Sequence, residues 1–286
     1  MVTFIELYED YLNQRISTQV TKGTLKIYGY TARPFCEWAD DNGIKPSTIL
    51  RKHIHAYIAK LTLSGRAKAT VDLHGRNVRA LLRYGHLEGV CPEVNFRGLL
   101  PRPPKRKQRV ARKEDIDKLL AANSSPRYKA IILLMYESGV RRQEASDLNC
   151  GDLDFSLEDV LRILVRSGKG DKDRVTFAGR RTMEALLDYM VTVPHEENDP
   201  VFISNRGNRM SVQSIDWMFK ILSKKAGIKI TPHAVRRGFA VSHRGMSLWD
   251  LKELMGHASI QTTQLYVQLG GDDLLDSYRE YALNDG

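Results

Sequence analysis

Six residues in the second half of the chain carry side chains suited to anion and proton chemistry. They are Arg141 in ESGVRRQEASDL, Lys169 in SGKGDKDR, His233 and Arg236 in TPHAVRRGF, His257 in LMGH, and Tyr266 nine residues beyond it. A guanidinium stays charged at any physiological pH and can grip two oxygens of an anion at once. An imidazole donates hydrogen bonds or moves a proton near neutrality. A phenol, with a pKa of about 10, needs a base or positive surroundings before it can act as a nucleophile. Taken singly, each residue has an ordinary explanation. Arg141 reads equally as a surface charge, Lys169 as a solvated turn lysine, and His233 with Arg236 as a chance pair on a helix. Tyr266 reads as a packed tyrosine sharing a helical face with Thr262, Leu265 and Leu269, its hydroxyl at a wet edge.

Other chemistries find no support. The chain has no G-x-G-x-x-G. SGKGDKDR fails as a phosphate loop, because Lys169 is followed by glycine where that loop needs serine or threonine. No H-E-x-x-H or carboxylate cluster points to a metal, and no Ser-His-Asp order stands out. Cys36, Cys91 and Cys150 match neither a zinc spacing nor a disulfide framework and read as reduced thiols. No cofactor and no metal are therefore expected.

Composition points to a polyanionic partner. Forty-four Lys and Arg stand against 34 Asp and Glu, a net charge of +10 with a pI near 9.5. The segment Arg102–Lys113, RPPKRKQRVARK, concentrates seven basic residues with no acid. No apolar run approaches the length of a membrane span, and the N-terminus lacks a signal-peptide pattern. A soluble, cytoplasmic protein is expected, and 286 residues suffice for two domains.

Helices must position most of these groups. Thr3 and Glu6 suggest a capping box ahead of an apolar stripe of Phe4, Leu7, Tyr8, Tyr11 and Leu12. A second helix is expected over about 21–42, kinked by Pro34 and stopped by Gly43. A third is expected over about 50–61 and a fourth over about 70–87, giving a compact four-helix module across 1–100. Pro101, Pro103 and Pro104 then stiffen a basic linker, 101–111. In the second domain, 112–271, Ser125-Pro126 opens an apolar helix that ends at Gly139. LRILVR and RVTF flank the turn residues SGKGDKD and predict a β-hairpin. Helices are expected over about 181–190, 212–225, 232–243, 248–255, 260–269 and 273–282.

At this order and spacing the six residues resemble the tyrosine recombinases, the phage integrase and Xer-like family. That family's first arginine follows a T/S-G-hydrophobic stop and leads into R-x-x-E-L; here SGVRRQEASDL supplies Arg141 and Glu144. Its hairpin lysine lies in G-K-G-x-K-x-R, here Lys169 in GKGDKDR. Its H-x-x-R pair is His233 and Arg236, and LMGHASIQTTQLY supplies His257 and Tyr266. TLKIYGYTARPFCEWADDNG and ATVDLHGRNVRALLRY resemble its core-binding module, so the likeness spans nearly the whole chain.

The resemblance implies a mainly α protein with a small β-sheet: a four-helix SAM-like core-binding domain joined to an α+β catalytic domain. It implies that Arg141 and Arg236 hold the scissile phosphate and that His233 and His257 donate hydrogen bonds or move a proton. Lys169 protonates the leaving group, Tyr266 is the nucleophile, and Glu144 orients the basic groups. Lys105, Arg106, Lys107 and Arg109 of the linker would contact DNA while the two domains clamp the duplex. The implied partners are a double-stranded DNA site with an inverted repeat and further copies of the chain, four on two DNA sites. The segment 272–286, with Leu274, Tyr278 and Tyr281 on an otherwise acidic stretch, would be exchanged between subunits. A type IB topoisomerase or telomere-resolving enzyme and a non-enzymatic DNA-binding relative are the competing readings.

Overall fold

The computed structural model describes residues 2–104, 108–166, 173–193, 196–257 and 259–268, the side chains of Tyr266 and Gln268 excepted. The chain divides into two compact units, Met1–Arg106 and Lys107–Gly286.

The first unit is helical: α1 (Phe4–Ser17), α2 (Lys22–Thr31), α3 (Arg33–Asp41), α4 (Arg51–Leu63) and α5 (Lys68–Leu87). The capping box forms, with Thr3 Oγ1 accepting from the Glu6 N–H at 3.2 Å and Glu6 accepting from the Thr3 N–H at 2.7 Å. Asp40 on α3 accepts from the Phe4 and Ile5 N–H groups at 2.9 and 3.0 Å, satisfying two more orphan donors of α1. Phe4, Leu7, Tyr8 and Tyr11 are buried as the stripe predicts. Phe35 joins the helices, meeting Phe4 and Tyr57 edge-on at 5.3 and 5.1 Å. One expectation is corrected. Residues 21–42 do not form one kinked helix but the separate helices α2 and α3, with Ala32 between them. Pro34 has no N–H to continue the ladder, and its ring would crowd the carbonyl four residues back, so it falls in the first turn of a new helix.

The second unit wraps helices around a small sheet. α6 (Lys113–Ala121) leads to α7 (Pro126–Ser138), which is buried on every side from Ala130 to Met135 and serves as the central post. After α8 (Arg142–Asp147) come β1 (Leu153–Asp154), β2 (Val160–Val165) and β3 (Arg174–Gly179), an antiparallel sheet in that order. Val160 pairs with Gly179 and Val165 with Arg174, so the expected hairpin forms. Leu161, Ile163 and Val165 alternate inward on β2. Its turn, 167–172, lies outside the described residues. α9 (Arg180–Met190), α10 (Val212–Lys225), α11 (Pro232–Ser242), α12 (Leu248–Met255) and α13 (Ile260–Gln268) complete the unit. The chain is thus mainly α with one small sheet. Among the described residues no helix is long and apolar enough to cross a membrane.

Candidate active site

Three chain reversals build the site. The first is the stop of α7. Gly139 takes the left-handed conformation (φ +64°), and a Cβ there would strike the Phe239 ring of α11. The chain then turns through buried Val140 into Arg141, which precedes α8. Glu144, in the first turn of α8, accepts from the backbone N–H of Arg141 at 2.7 Å and from its Nη1 at 2.6 Å.

The second is the start of α11. Thr231 Oγ1 accepts from the Ala234 N–H at 3.3 Å and Pro232 occupies the first turn. His233 and Arg236 follow at a spacing of three, on one face of the helix. Arg236 is 2% exposed, and its guanidinium donates to the carbonyls of Gly139 and Met255.

The third reversal is the stop of α12 within LMGH. Gly256 sits at φ +61°. Its N–H donates to the Glu253 carbonyl at 3.0 Å and the His257 N–H to the Lys252 carbonyl at 3.1 Å. This is the Schellman pattern that closes a helix and turns the next residue aside. It leaves three carbonyls at the end of α12 for other partners, and an arginine takes each one. Arg174 Nε donates to Leu254 at 2.9 Å, Arg236 Nη2 to Met255, and Arg141 Nη2 to Gly256 at 2.7 Å. The negative end of the helix dipole adds to the attraction.

The three guanidiniums also share Glu144, whose side chain is 7% exposed. Arg174 grips it with two bonds, Nη1 to Oε1 at 2.9 Å and Nη2 to Oε2 at 2.7 Å, while Arg236 Nη1 lies 3.9 Å away. Burial pushes the Glu144 pKa up, but the hydrogen bonds and charge of Arg174, followed by those of Arg141, outweigh it and lower the pKa to about 2. Glu144 is therefore a buried carboxylate that fixes the arginines, not the surface acid it could equally have been.

His257 is 7% exposed, and its Nδ1 lies 2.9 Å from Thr263 Oγ1 on α13. Burial, then the charges of Arg236, Arg141 and Arg174, lower its pKa to about 3, so the ring is neutral at physiological pH. His233 is more open to solvent, yet burial of its surroundings and the nearby Arg237, Arg236, Arg142 and Arg141 lower its pKa as well.

Arg141, His233, Arg236 and His257 all line one cleft of about 1050 Å³. Thr262 of α13 lines it too, and Tyr266 follows one turn later on that helix. Ser259 precedes α13, its Oγ accepting from the Gln261 N–H at 3.3 Å. Lys169, Lys105, Arg106, Lys107 and the tail 272–286 lie outside the described residues. Arg109 is not on the cleft; its guanidinium pairs with Asp115 at 2.7 Å. Arg174 is the residue the sequence reading missed. It is the final arginine of GKGDKDR, and that motif is its signal in the sequence. Among the described residues no group of His, Cys, Asp and Glu is placed to hold a metal ion.

Comparison with known proteins agrees with this geometry. Residues 109–271, more than half of the chain, match the phage integrase family. The tyrosine recombinase XerA of Thermococcus onnurineus is 28% identical over 289 residues, covering 99% of this chain and 96% of its own. The tyrosine recombinase XerC of Pseudomonas entomophila is 31% identical, covering 92% and 91%. A crystal structure of XerA recombinase, 28% identical, superposes with a TM-score of 0.55 over 97% of this chain and 98% of that one. The XerH site-specific recombinase bound to its palindromic difH substrate, 18% identical, shares the fold, with a TM-score of 0.74 over 99% and 86%. Family match, near-full-length relatives and the gathering of Arg141, His233, Arg236 and His257 on one cleft agree: this chain belongs to the phage integrase family of tyrosine site-specific recombinases.

Proposed function

We propose that this recombinase cuts and rejoins duplex DNA through a covalent 3′-phosphotyrosyl intermediate on Tyr266. The observation that carries the reading is the convergence of Arg141, Arg236, His233 and His257 on a single cleft beside α13, the helix that bears Tyr266. A phosphodiester under attack gathers charge on its non-bridging oxygens, and two fixed guanidiniums stabilise that charge without reorganising. Arg141 and Arg236 take this role, held from behind by Glu144 and the carbonyls at the end of α12. The phenol oxygen of Tyr266 bonds to phosphorus and the P–O5′ bond breaks. The phenol proton leaves to a base in the cleft, and the departing 5′ oxygen takes a proton, a role assigned to Lys169 from the family motif. His257 and His233, neutral in the free protein, supply hydrogen bonds and a proton acceptor. Rejoining reverses the step with a new 5′-hydroxyl. One phosphodiester is exchanged for another, so no nucleotide hydrolysis is required.

Double-stranded DNA with inverted repeats is the proposed partner, in keeping with the XerH structure, whose protein is bound to a palindromic substrate. Residues 1–100 act as the core-binding domain, 101–111 as a linker whose Lys105, Arg106, Lys107 and Arg109 neutralise phosphates, and 112–271 as the catalytic domain. Strand exchange proceeds through a Holliday junction in a tetramer on two sites. The tail 272–286 docks on a neighbouring subunit, and truncation after Gly271 should abolish tetramer formation on DNA.

The test is a covalent trap. Wild type and Tyr266→Phe are incubated, without metal or ATP, with genomic fragments carrying nicks or bridging phosphorothiolates. Adducts are then separated under denaturing conditions and their DNA sequenced. Adducts in wild type alone, focused on one short inverted repeat, establish the nucleophile and the target. Adducts spread without sequence focus favour a topoisomerase-like enzyme, and tight native binding with no adduct favours a non-enzymatic DNA-binding protein.

A further inference from the structure

Arg142 opens α8 directly after Arg141 and lines the same cleft, but it is tied to none of the partners that hold Arg141. Its Nη1 donates to Asp216 Oδ2 on α10. Both side chains are open to solvent, 52% and 40% exposed. The acid is out of place. Arg141, Arg142, Lys220, Lys224, Lys229 and Arg236 give the cleft wall its charge, and among the described residues lining it Asp216 is the only carboxylate. A lone acid opposes any polyanion entering such a cleft, so it needs a reason to be there. The carboxylate presents planar oxygens to the guanidinium fork, as a phosphodiester would. An ion pair this exposed contributes little to stability and exchanges readily. Arg142 is also close enough to the reacting groups to help lower the His233 pKa.

We propose that Arg142 binds a DNA backbone phosphate within the catalytic cleft and that Asp216 is its place-holder, occupying the guanidinium until the phosphate displaces it. This assignment rests on the recombinase reading above. In the free protein Asp216 keeps Arg142 extended across the cleft between α8 and α10 and shields one positive charge from other anions. On DNA the guanidinium exchanges carboxylate for phosphate. Asp216 is left beside a phosphate, at a cost that only a correctly seated strand offsets. The pair therefore tunes affinity and discrimination between seated and unseated DNA rather than the chemical step.

A double-mutant cycle tests this with wild type, Arg142→Gln, Asp216→Asn and the double variant. Equilibrium binding is measured across a salt series on a duplex carrying the adduct-forming sequence and on an unrelated duplex of the same length. Arg142→Gln is expected to weaken binding to the site duplex and reduce the slope of log K against log salt by about one. Asp216→Asn is expected to tighten binding several-fold, proportionally more on the unrelated duplex, and the gain should largely vanish in the Arg142→Gln background. Equal gains from Asp216→Asn in both backgrounds would mean general charge repulsion and overturn the place-holder. An unchanged salt slope in Arg142→Gln, with matching losses of folding stability in both single variants, would make the pair a structural brace and overturn it too. Absence of wild-type adducts is the failure of the recombinase reading; additivity despite wild-type adducts is the failure of the place-holder alone.

Discussion

Glu144 and Arg174 meet fork to fork in the interior of the second unit, with parallel hydrogen bonds of 2.9 and 2.7 Å and both side chains less than a tenth exposed. One residue comes from the short helix after the α7 stop and the other from the first position of β3. Their pairing ties the turn end of the hairpin to the arginines of the cleft.

Removing one partner of such a pair leaves an uncompensated buried charge. Arg174→Ala should cost about 3–5 kcal/mol in urea unfolding. Arg174→Lys should recover only part of this, because an ammonium cannot span both carboxylate oxygens and reach the Leu254 carbonyl. Wild-type stability in Arg174→Lys would show that the fork geometry is unimportant.

Stability should fall as the solution is acidified, in two overlapping ranges. The His257 pKa lies near 3 in the fold against 6.5 unfolded, so the unfolded chain binds an extra proton between these values and stability drops as pH falls from about 6.5. The Glu144 pKa lies near 2 against 4.5, so its contribution is present above about 4.5 and is lost as pH falls toward 2. Each group adds a slope of up to about 1.4 kcal/mol per pH unit within its range. Urea midpoints across pH check this. His257→Gln should flatten the limb between 6.5 and 4.5, and Glu144→Gln the limb below it.

The contact between Thr263 and His257 holds the imidazole in place. Thr263→Val should lower single-turnover cleavage roughly 10- to 100-fold, by loosening a reacting group, while leaving site binding near wild type. Equal losses in binding and cleavage would point to a general disturbance of α13 instead.

Gly256→Ala separates strain from catalysis. Its positive φ should cost about 1–2 kcal/mol. Its new methyl would also press on Arg174, whose Cδ, Nε and Cζ lie 2.9 to 3.0 Å from the Cβ position. Gly227→Ala is the control, since Gly227 has φ +65° and nothing beyond its chain neighbours within 4 Å of the added carbon. Both variants should lose stability, and only Gly256→Ala should lose cleavage beyond what its stability explains.

Arg141→Ala and Arg236→Ala should each slow cleavage by about 10²–10³-fold, the scale of a lost oxyanion donor, with much smaller effects on site affinity. Arg236→Ala should also destabilise the fold, because the carbonyls of Gly139 and Met255 lose their buried donor. Arg141, 32% exposed at its side chain, should be replaced at lower structural cost.

Much of this was legible along the chain because the signals are local. Thr3 with Glu6, Thr231-Pro232 and Gly256 each fix a helix end through bonds spanning a few residues, Pro126 opens α7 by its preset φ with no side-chain bond from Ser125, and the β-hairpin follows from alternation around turn residues. The same locality explains the error at Pro34, where an apolar face continues through two helices and periodicity cannot tell a kink from a break. The motif order by itself offers Arg141, Lys169, His233, Arg236, His257 and Tyr266 as candidates. Only the tertiary structure decided that Glu144 is buried, that Arg174 completes its pairing, and that Arg141 and Arg142 face different partners. Three carbonyls at one helix end collect arginines from three other places in the chain, from the residue before α8, from β3 and from α11. Long-range packing selects which cation each buried acceptor receives, and no spacing within a single segment encodes that choice.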